Sequence, residues 1–215
     1  IQNVPGSGRP WRGAAVVAGK HRTVKAQLTR SSLVVAAAII LREQGPSSVT
    51  YRHVAGKAGA ASSSVGYYFD SIDDLLREAA EYNVRMWARR AEKAADAAED
   101  LTREEARAQV VELLLQACLP EDLVVPVAHY EQLMTAAESS VVTTAYRRGR
   151  ERLDDAILRI LRCAGLSKVN PRIVAAVVDG AAVAGISEGH PVREAAHTML
   201  SEAIGVMGEA QQDEG

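Results

Sequence analysis

The sequence predicts an all-α protein, and three observations support this prediction. Alanine, leucine, valine and glutamate dominate the composition, and these residues are compatible with helices. No stretch shows the regular alternation of apolar and polar residues that indicates a half-buried strand. The 215-residue chain is 47% hydrophobic, which is enough for the core of one large domain or of one small and one medium domain.

The charged residues are unevenly distributed along the chain. Residues 1–69 contain nine Lys and Arg and one acid, Glu43, which gives a net charge of +8. Residues 70–215 have a net charge of −10. The N-terminal end is therefore suited to a polyanion, while the remainder favours solubility.

Residues 1–26 are rich in Gly, Pro, Arg and Lys and predict a basic, flexible tail. They lack a secretory pattern, so we expect a cytoplasmic protein without a membrane partner. A helix is predicted over about 27–44, before Gly45-Pro46. Its apolar run Leu33–Leu41 is shorter than the roughly 20 residues that cross a bilayer, which indicates a buried helix.

Two short helices are predicted next. Thr50 can cap a helix that ends near Ala58, and Gly59 permits a positive φ at the following turn. Ser62–Tyr68 forms the second short helix. Two short helices with a glycine turn and a third helix upstream are the components of a helix-turn-helix, so residues 27–76 predict a DNA-binding domain.

A larger helical domain is predicted over 77–215. Ser71 caps a helix to about Ala98, with Asp74 completing a capping box, and a second box at Thr102 starts a helix to about Leu119. A loop over 120–126 follows. The remaining helices are predicted over 127–138, 141–164, 171–187 and 191–208, the last two with Pro171 and Pro191 at the first helical position.

Residues 33–76 carry a motif that resembles the TetR family of bacterial transcriptional regulators. An apolar helix ends in "EQG" and is followed by "VTYRHVAGKAGAASSSVGYYFDSIDDLL". The family pattern of Thr, an apolar-Ala pair, Ala-Gly, a polar triplet, an aromatic-Phe ending and Ser-x-x-Asp-Leu-Leu is matched closely, over about a fifth of the chain. Gly66 stands where the family usually has Tyr, and Ile72 where it has a phosphate-binding Lys, so one phosphate contact is expected to be lost.

The resemblance implies roles for residues of the helix-turn-helix. Phosphates would be contacted by Thr50, Ser64 and Tyr68, and base edges or sugars by Arg52, Ser62, Ser63 and Tyr67. Phe69 would fill the core beneath the recognition helix; the alternative that all three consecutive aromatics are core stays open. The basic residues of the tail could follow the DNA backbone, or the tail could make no contact: Arg9, Arg12, Lys20, Arg22, Lys25 and Arg30.

The resemblance also implies that the second domain binds a ligand and forms a homodimer. Two of its predicted helices have apolar, small-residue faces, which comprise Ile173, Val177, Gly180, Ala181, Ala184, Val192, Ala195, Met199 and Ile204. Paired across a two-fold axis, these faces would make a four-helix interface; alternatively they complete the monomer core. A dimer predicts a palindromic operator with half-sites about 34 Å, or a multiple of it, apart.

Several residues of the second domain are candidates for contacts to a hydrophobic small-molecule effector. They are Tyr82, Met86, Trp87, His129, Tyr130, Leu133, Met134 and Tyr146. For each of these residues, an ordinary core position is the alternative. The expected response is release from DNA on ligand binding, and a ligand that tightens DNA binding would use the same architecture.

Other function classes find less support in the sequence. A nucleophile elbow, zinc-binding His pairs, phosphate-binding glycine loops and dinucleotide fingerprints are all missing, so we expect neither an enzyme nor a cofactor or metal. Adjacent acids such as Asp154-Asp155 are interpreted as solvated, and Cys118 and Cys163 as core thiols. The remaining alternative is a non-specific DNA-binding or helical protein-interaction module.

Overall fold

The computed structural model describes residues 24–119 and 126–212, and within these residues all regular structure is helical. Ten α-helices and two 3-10 turns are found there. The α-helices are α1 (Val24–Gln44), α2 (Tyr51–Ala58), α3 (Ser62–Tyr68), α4 (Ile72–Glu99), α5 (Arg103–Ala108), α6 (Val110–Cys118), α7 (Pro126–Thr135), α8 (Ser140–Cys163), α9 (Pro171–Glu188) and α10 (Val192–Gln212). The 3-10 turns cover Pro46–Ser48 and Ala136–Glu138. The all-α prediction is confirmed.

Side-chain caps fix the starts of the helices where the sequence predicted them. The Thr50 hydroxyl accepts a hydrogen bond from the His53 amide at 3.2 Å and begins α2. Gly59 ends α2 with φ of 64°, a left-handed conformation that favours glycine. The capping box between Thr102 and Glu105 at α5 has both of its hydrogen bonds.

Three predicted helix boundaries are wrong. The helix expected from Thr102 to Leu119 is two helices, α5 and α6, because Gln109 leaves the helical region with φ of −104° and ψ of 4°. α10 begins after Pro191, whose carbonyl accepts the first helical hydrogen bond, from Ala195. α1 begins at Val24, inside the segment predicted as a tail; the rest of that segment lies outside the described residues.

Two smaller corrections concern helix ends. The Ser71 hydroxyl caps α4 by accepting from the Asp74 amide at 3.1 Å. The Asp74 carboxylate does not return to the cap, because it accepts a hydrogen bond from Arg77 instead. The helix predicted over 127–138 ends at Thr135, after which the 3-10 turn continues the chain.

The buried residues form two hydrophobic clusters that α4 connects. The first cluster surrounds the helix-turn-helix and includes Leu75 and Ala79 of α4, while the second includes Ala91 and Ala95 of the same helix. Three residues from beyond α7 belong to the first cluster: Ala136, Val142 and Ala145. The core of the helix-turn-helix therefore extends past the predicted boundary at residue 76 and includes part of the second domain.

α4 and α8 pack side by side more extensively than any other pair of helices in the described residues. A Cβ atom placed on Gly149 of α8 would lie 2.9 Å from Val84 Cγ1 of α4, so the glycine permits this close approach. Along the same pair of helices, Arg152 lies 2.6 Å from Glu92 and Arg159 2.6 Å from Asp96. The close packing fixes the position of α4 relative to α8.

α1 is long and apolar enough to cross a membrane, judged by length and composition alone. Core helices of soluble proteins meet the same criterion. Seven residues of α1, all between Leu33 and Leu41, are buried in the first cluster. Asn83 of α4, itself buried, donates to the Ala38 carbonyl at 3.1 Å and holds α1 against α4.

Candidate DNA-binding helix and effector cavity

α2, the Gly59 turn and α3 form a helix-turn-helix with a small apolar interior. Val54 and Ala55 of α2 and Val65 of α3 are buried in the first cluster. Phe69, directly after α3, is 1% exposed and belongs to the same cluster as Leu75 of α4. The prediction that Phe69 is a core residue is confirmed, and the buried ring fixes α3 on α4.

The outward face of α3 carries hydroxyl groups without partners inside the described chain. Ser62 and Ser63 are exposed and Ser64 is half-buried, and their side chains form no hydrogen bond to any residue that the structure describes. Arg52 of α2 is also exposed and forms no ion pair within residues 24–119 and 126–212. These groups are accessible to a phosphate or a base edge.

The other three predicted DNA contacts surround this face. Thr50 is exposed, and its hydroxyl oxygen accepts from His53, which leaves the hydroxyl hydrogen to be donated elsewhere. Tyr67 is 65% exposed, and its ring meets that of the half-buried Tyr68 edge-on at 5.0 Å. The two tyrosines therefore differ, since Tyr68 packs against the first cluster.

Arg30 does not belong to the basic arm with which the sequence analysis grouped it. Its guanidinium forms a bidentate pair with Glu78 of α4 and lies 4.8 Å from the centre of the Phe69 ring. The residue joins α1 to α4 beside the Phe69 ring. Lys25, in the first turn of α1, is exposed; the four other basic residues of the predicted arm lie outside the described residues.

A cavity of about 870 Å³ lies among α4, α6, α7, α8 and α9. Four of the eight predicted ligand contacts line it, namely Trp87, His129, Leu133 and Tyr146. The other four do not. Tyr82 packs against the first cluster and Tyr130 is buried in the second, while Met86 and Met134 are 49% and 78% exposed.

The positions of the two methionines outside the cavity lining have a simple helical reason. Met86 precedes Trp87 and Met134 follows Leu133, and one step along an α-helix rotates a side chain by about 100°. The residue next to a cavity residue therefore points elsewhere. Choosing between neighbours requires the position of each helix in the packed molecule.

An aromatic wall forms one side of the cavity. The Trp87 ring lies 5.0 Å from that of Tyr146 and 6.0 Å from that of His129, with edge-to-face geometry in both pairs. Gln132, which is buried, donates to the Tyr146 hydroxyl. Burial raises the pKa of Tyr146 to about 12, so the phenol stays protonated.

His129 is uncharged at neutral pH. Burial, with a smaller contribution from the positive charge of Arg90, lowers the pKa of His129 to about 4. A neutral imidazole has one N–H donor and one acceptor nitrogen. His129 can therefore offer one hydrogen-bond donor or acceptor to a polar group in the cavity.

Sequence reasoning missed the polar wall of the cavity. Its charged members are Arg90, Arg147, Arg150, Glu151, Arg172 and Asp179. Arg150 lies 3.5 Å from Asp179, and burial raises the pKa of this carboxyl group. Helical spacing contained a signal, because Arg90 follows Trp87 by three residues and Arg150 follows Tyr146 by four.

The acids and thiols near the cavity also need correction. The Asp154 side chain is 13% exposed and pairs with Arg172 at 3.0 Å, whereas Asp155 is exposed, so only one of these acids is solvated. The Cys118 thiol lines the cavity, and burial raises its pKa to about 12. Cys163 is a partly buried free thiol beside the second cluster. The described residues contain no group of three His, Cys, Asp or Glu side chains that could hold a metal.

The apolar faces of α9 and α10 are divided between the core and the surface. Buried members of the predicted pattern include Ala181, Val192 and Ile204, through which the two helices pack together. Ile173 and Met199 are 49% and 50% exposed. One stripe of the pattern therefore completes the monomer core and another faces outward, and pairing of the outward stripe across a two-fold axis stays a prediction.

Comparison with known proteins also identifies a DNA-binding helix-turn-helix at the N-terminal end of the described chain. Residues 33–79 match the model of the tetR family of bacterial regulatory proteins. No sequence match to a curated protein is found.

Solved structures share the fold over most of the chain. A TetR transcription regulator from Haloarcula marismortui is 21% identical, with 82% of this chain and 96% of that chain covered and a TM-score of 0.61. A protein from Saccharomonospora viridis, described as a transcriptional regulator and in complex with choline, is 19% identical, with coverage of 83% and 96% and a TM-score of 0.62. SmeT, the repressor of the Stenotrophomonas maltophilia multidrug efflux pump SmeDEF, is 16% identical, with coverage of 82% and 89% and a TM-score of 0.52.

These similarities show a common fold, and the family model accounts for the helix-turn-helix that the first three helices build. Sequence motif, local geometry and overall architecture agree. Residues 33–79 of this chain are therefore similar to the DNA-binding helix-turn-helix of the tetR family, within an all-α fold that the chain shares with solved TetR-family regulators.

Proposed function

We propose that the protein is a cytoplasmic homodimeric repressor that leaves a palindromic operator when a small ligand with an apolar body enters the cavity. One observation carries the proposal. α4 begins four residues after the end of the proposed recognition helix α3, and its residues Val84, Trp87 and Ala88 line the cavity. A single helix therefore connects residues 27–76, the proposed DNA-binding domain, with residues 77–215, the proposed ligand-binding and dimerisation domain.

The exposed groups of α2 and α3 support the assignment of the DNA contacts. The serine hydroxyls and the Arg52 guanidinium are unpaired within the described chain and can bind bases, sugars or phosphates. The repressor role finds support in SmeT, which shares the fold and is itself a repressor. The ligand role finds support in the choline complex of the Saccharomonospora viridis protein.

The cavity and the helix-turn-helix share structural elements besides α4. Ala136 lines the cavity and also belongs to the first hydrophobic cluster. Asn83, next to the cavity residue Val84, binds the Ala38 carbonyl of α1. A ligand that is accommodated better by one arrangement of α4 and the 3-10 turn would shift the population of that arrangement and the position of α3 with it.

The outward stripe on α9 and α10 supports the homodimer. Ile173, Val183, Met199 and Val206 are 48–70% exposed on two adjacent helices. Two such helix pairs related by a two-fold axis would form a four-helix interface and bury these side chains. The dimer would then present two α3 helices to half-sites about 34 Å apart, or a multiple of this distance.

DNA binding can be tested by selecting bound sequences from a random duplex library at near-physiological salt. We expect one palindrome with half-sites about a turn apart. Arg52→Ala should weaken binding to that sequence, while Arg148→Ala, an exposed arginine of α8, should not. Selection of no motif, with binding that disappears as salt rises, would favour the non-specific alternative.

Dimerisation can be tested by light scattering on size-exclusion fractions. Val183→Glu should convert the dimer to a monomer because it places a charge in the proposed interface. Val127→Glu is the matched control, since Val127 is a similarly exposed valine on α7. A wild-type protein that elutes as a monomer at all concentrations would disprove this part of the proposal.

A further inference from the structure

The charges of the cavity wall indicate the chemical class of the effector, an inference that depends on the proposed function because it concerns the same cavity. We infer that the cavity binds a small amphipathic acid. Its carboxylate would lie against the arginines of the polar wall, and its apolar body against Trp87 and Leu133.

The lining has an excess of positive charge. Four arginines and two acids contribute to it: Arg90, Arg147, Arg150, Arg172, Glu151 and Asp179. Arg150 pairs with Asp179, and Arg172 pairs with Asp154 outside the lining. Arg147 has no ion pair to a residue of the described ranges. Among the described residues the charge of Arg147 is therefore not compensated, and an anionic ligand would pair with it.

Arg90 places a positive charge close enough to His129 of the aromatic wall to affect its pKa. Its guanidinium donates to the Cys118 carbonyl at 3.4 Å, and its charge contributes to the lowered pKa of His129. Arg90 is partly buried. Because charges interact more strongly where water is excluded, a carboxylate gains more from this guanidinium than from one on an open surface, and a cation would be repelled by it.

The uncharged polar groups of the cavity include hydrogen-bond donors. The Tyr146 hydroxyl accepts from Gln132, so its own hydrogen remains for another acceptor. The indole N–H of Trp87 is a donor only. A carboxylate, which only accepts hydrogen bonds, matches such a wall better than an ammonium group, which only donates them.

The remaining wall requires an apolar body on the same ligand. Besides Trp87 and Leu133, the lining includes alanines of four elements, among them Ala88 and Ala175. A volume of about 870 Å³ is within the range of cavities that hold drug-sized molecules. The Trp87–Tyr146 pair alone would also suit a quaternary ammonium ion, but the surplus of arginine charge opposes that ligand.

The test compares three ligands that share one apolar chain and differ in charge. Octanoate, 1-octanol and octyltrimethylammonium are titrated into the full chain by calorimetry at neutral pH, below their aggregation concentrations. We expect octanoate to bind at least tenfold more tightly than the other two. Arg90→Gln should reduce this preference at least tenfold, while Arg89→Gln, the exposed neighbour outside the cavity, should retain it.

A second pair of variants covers the case in which Arg90→Gln does not fold. Arg147→Gln should weaken octanoate binding and Arg148→Gln should not. Equal or tighter binding of the alcohol or the ammonium compound would overturn the inference, as would binding of none of the three. In either case, operator selection with the same protein separately decides whether the proposed regulator function stands.

Discussion

The recognition helix α3 and the cavity differ in how far apart in the sequence their residues lie. The residues assigned to DNA binding all lie between Thr50 and Tyr68, within two short helices and one turn. The cavity lining runs from Val84 to Asp179 and draws on five α-helices and a 3-10 turn. The first depends mainly on local structure, whereas the second depends on the packing of long helices.

The largest expected effect tests whether the local structure of the recognition helix α3 is enough to hold it in place without the buried Phe69 ring. Phe69→Ala removes the buried ring between α3 and α4, and large-to-small changes of a buried Phe cost about 3–5 kcal/mol. We expect a loss of this order in the free energy of unfolding of the helix-turn-helix, with loss of operator binding. Urea denaturation followed by circular dichroism measures the first quantity.

Tyr67→Ala is the control for Phe69→Ala. It removes a neighbouring aromatic ring that is 65% exposed, so stability should change by less than about 0.5 kcal/mol while operator binding weakens. Equal destabilisation by the two substitutions would mean that Phe69 does not act as the anchor of α3.

The comparison also explains how much could be predicted from the sequence. Thr50, Gly59 and the spacing of Val54 and Val65 determine the helix-turn-helix through short-range rules of capping and turns, and each was placed correctly. The cavity could be predicted only in part. A residue such as Arg90 faces either solvent or a cavity according to the position of α4 against α8, which no local pattern specifies.

A second prediction concerns the close packing that forms the cavity wall. Gly149→Ala adds a Cβ atom 2.9 Å from Val84 Cγ1. Overpacking of this kind, partly offset by the better helix propensity of alanine, should destabilise the protein by about 1–2 kcal/mol. Val84→Ala in the same chain should relieve the clash, and a double-mutant cycle of unfolding free energies measures that coupling.

The matched control lies in the other region. Gly56→Ala in α2 places its new methyl group where no atom lies within 4 Å, so the same substitution should be neutral or stabilising by up to about 1 kcal/mol. If Gly149→Ala behaved in the same way, α4 and α8 would be farther apart than the structure shows.

A third prediction concerns how the unfolding free energy depends on pH through His129 of the cavity. The pKa of His129 is about 4 in the folded protein, below its unfolded value of about 6.5, so the unfolded state binds more protons between these values. Stability is therefore retained above pH 6.5 and decreases as pH falls towards 4. Between pH 7 and pH 5 the expected loss is about 1–2 kcal/mol.

His129→Gln identifies the source of this pH dependence. The variant has no titrating imidazole at the cavity, so its unfolding free energy should decrease less between pH 7 and pH 5 than that of the wild type. Parallel pH profiles for both proteins would show that His129 is not buried in its neutral form.

The smallest expected effect compares two helix caps, Ser71 at the start of α4 and Thr102 at the start of α5. Ser71→Ala removes one hydrogen bond to the Asp74 amide at the start of α4 and should cost about 1 kcal/mol. Thr102→Ala at α5 should cost more, because Glu105 binds both the amide and the hydroxyl of Thr102 and completes a reciprocal box that α4 lacks. Unfolding free energies of the two variants, measured in the same buffer, decide the order. α4 follows α3 and extends to the cavity. A larger loss for Ser71→Ala would mean that the start of α4 depends on its cap more strongly than the hydrogen bonds indicate.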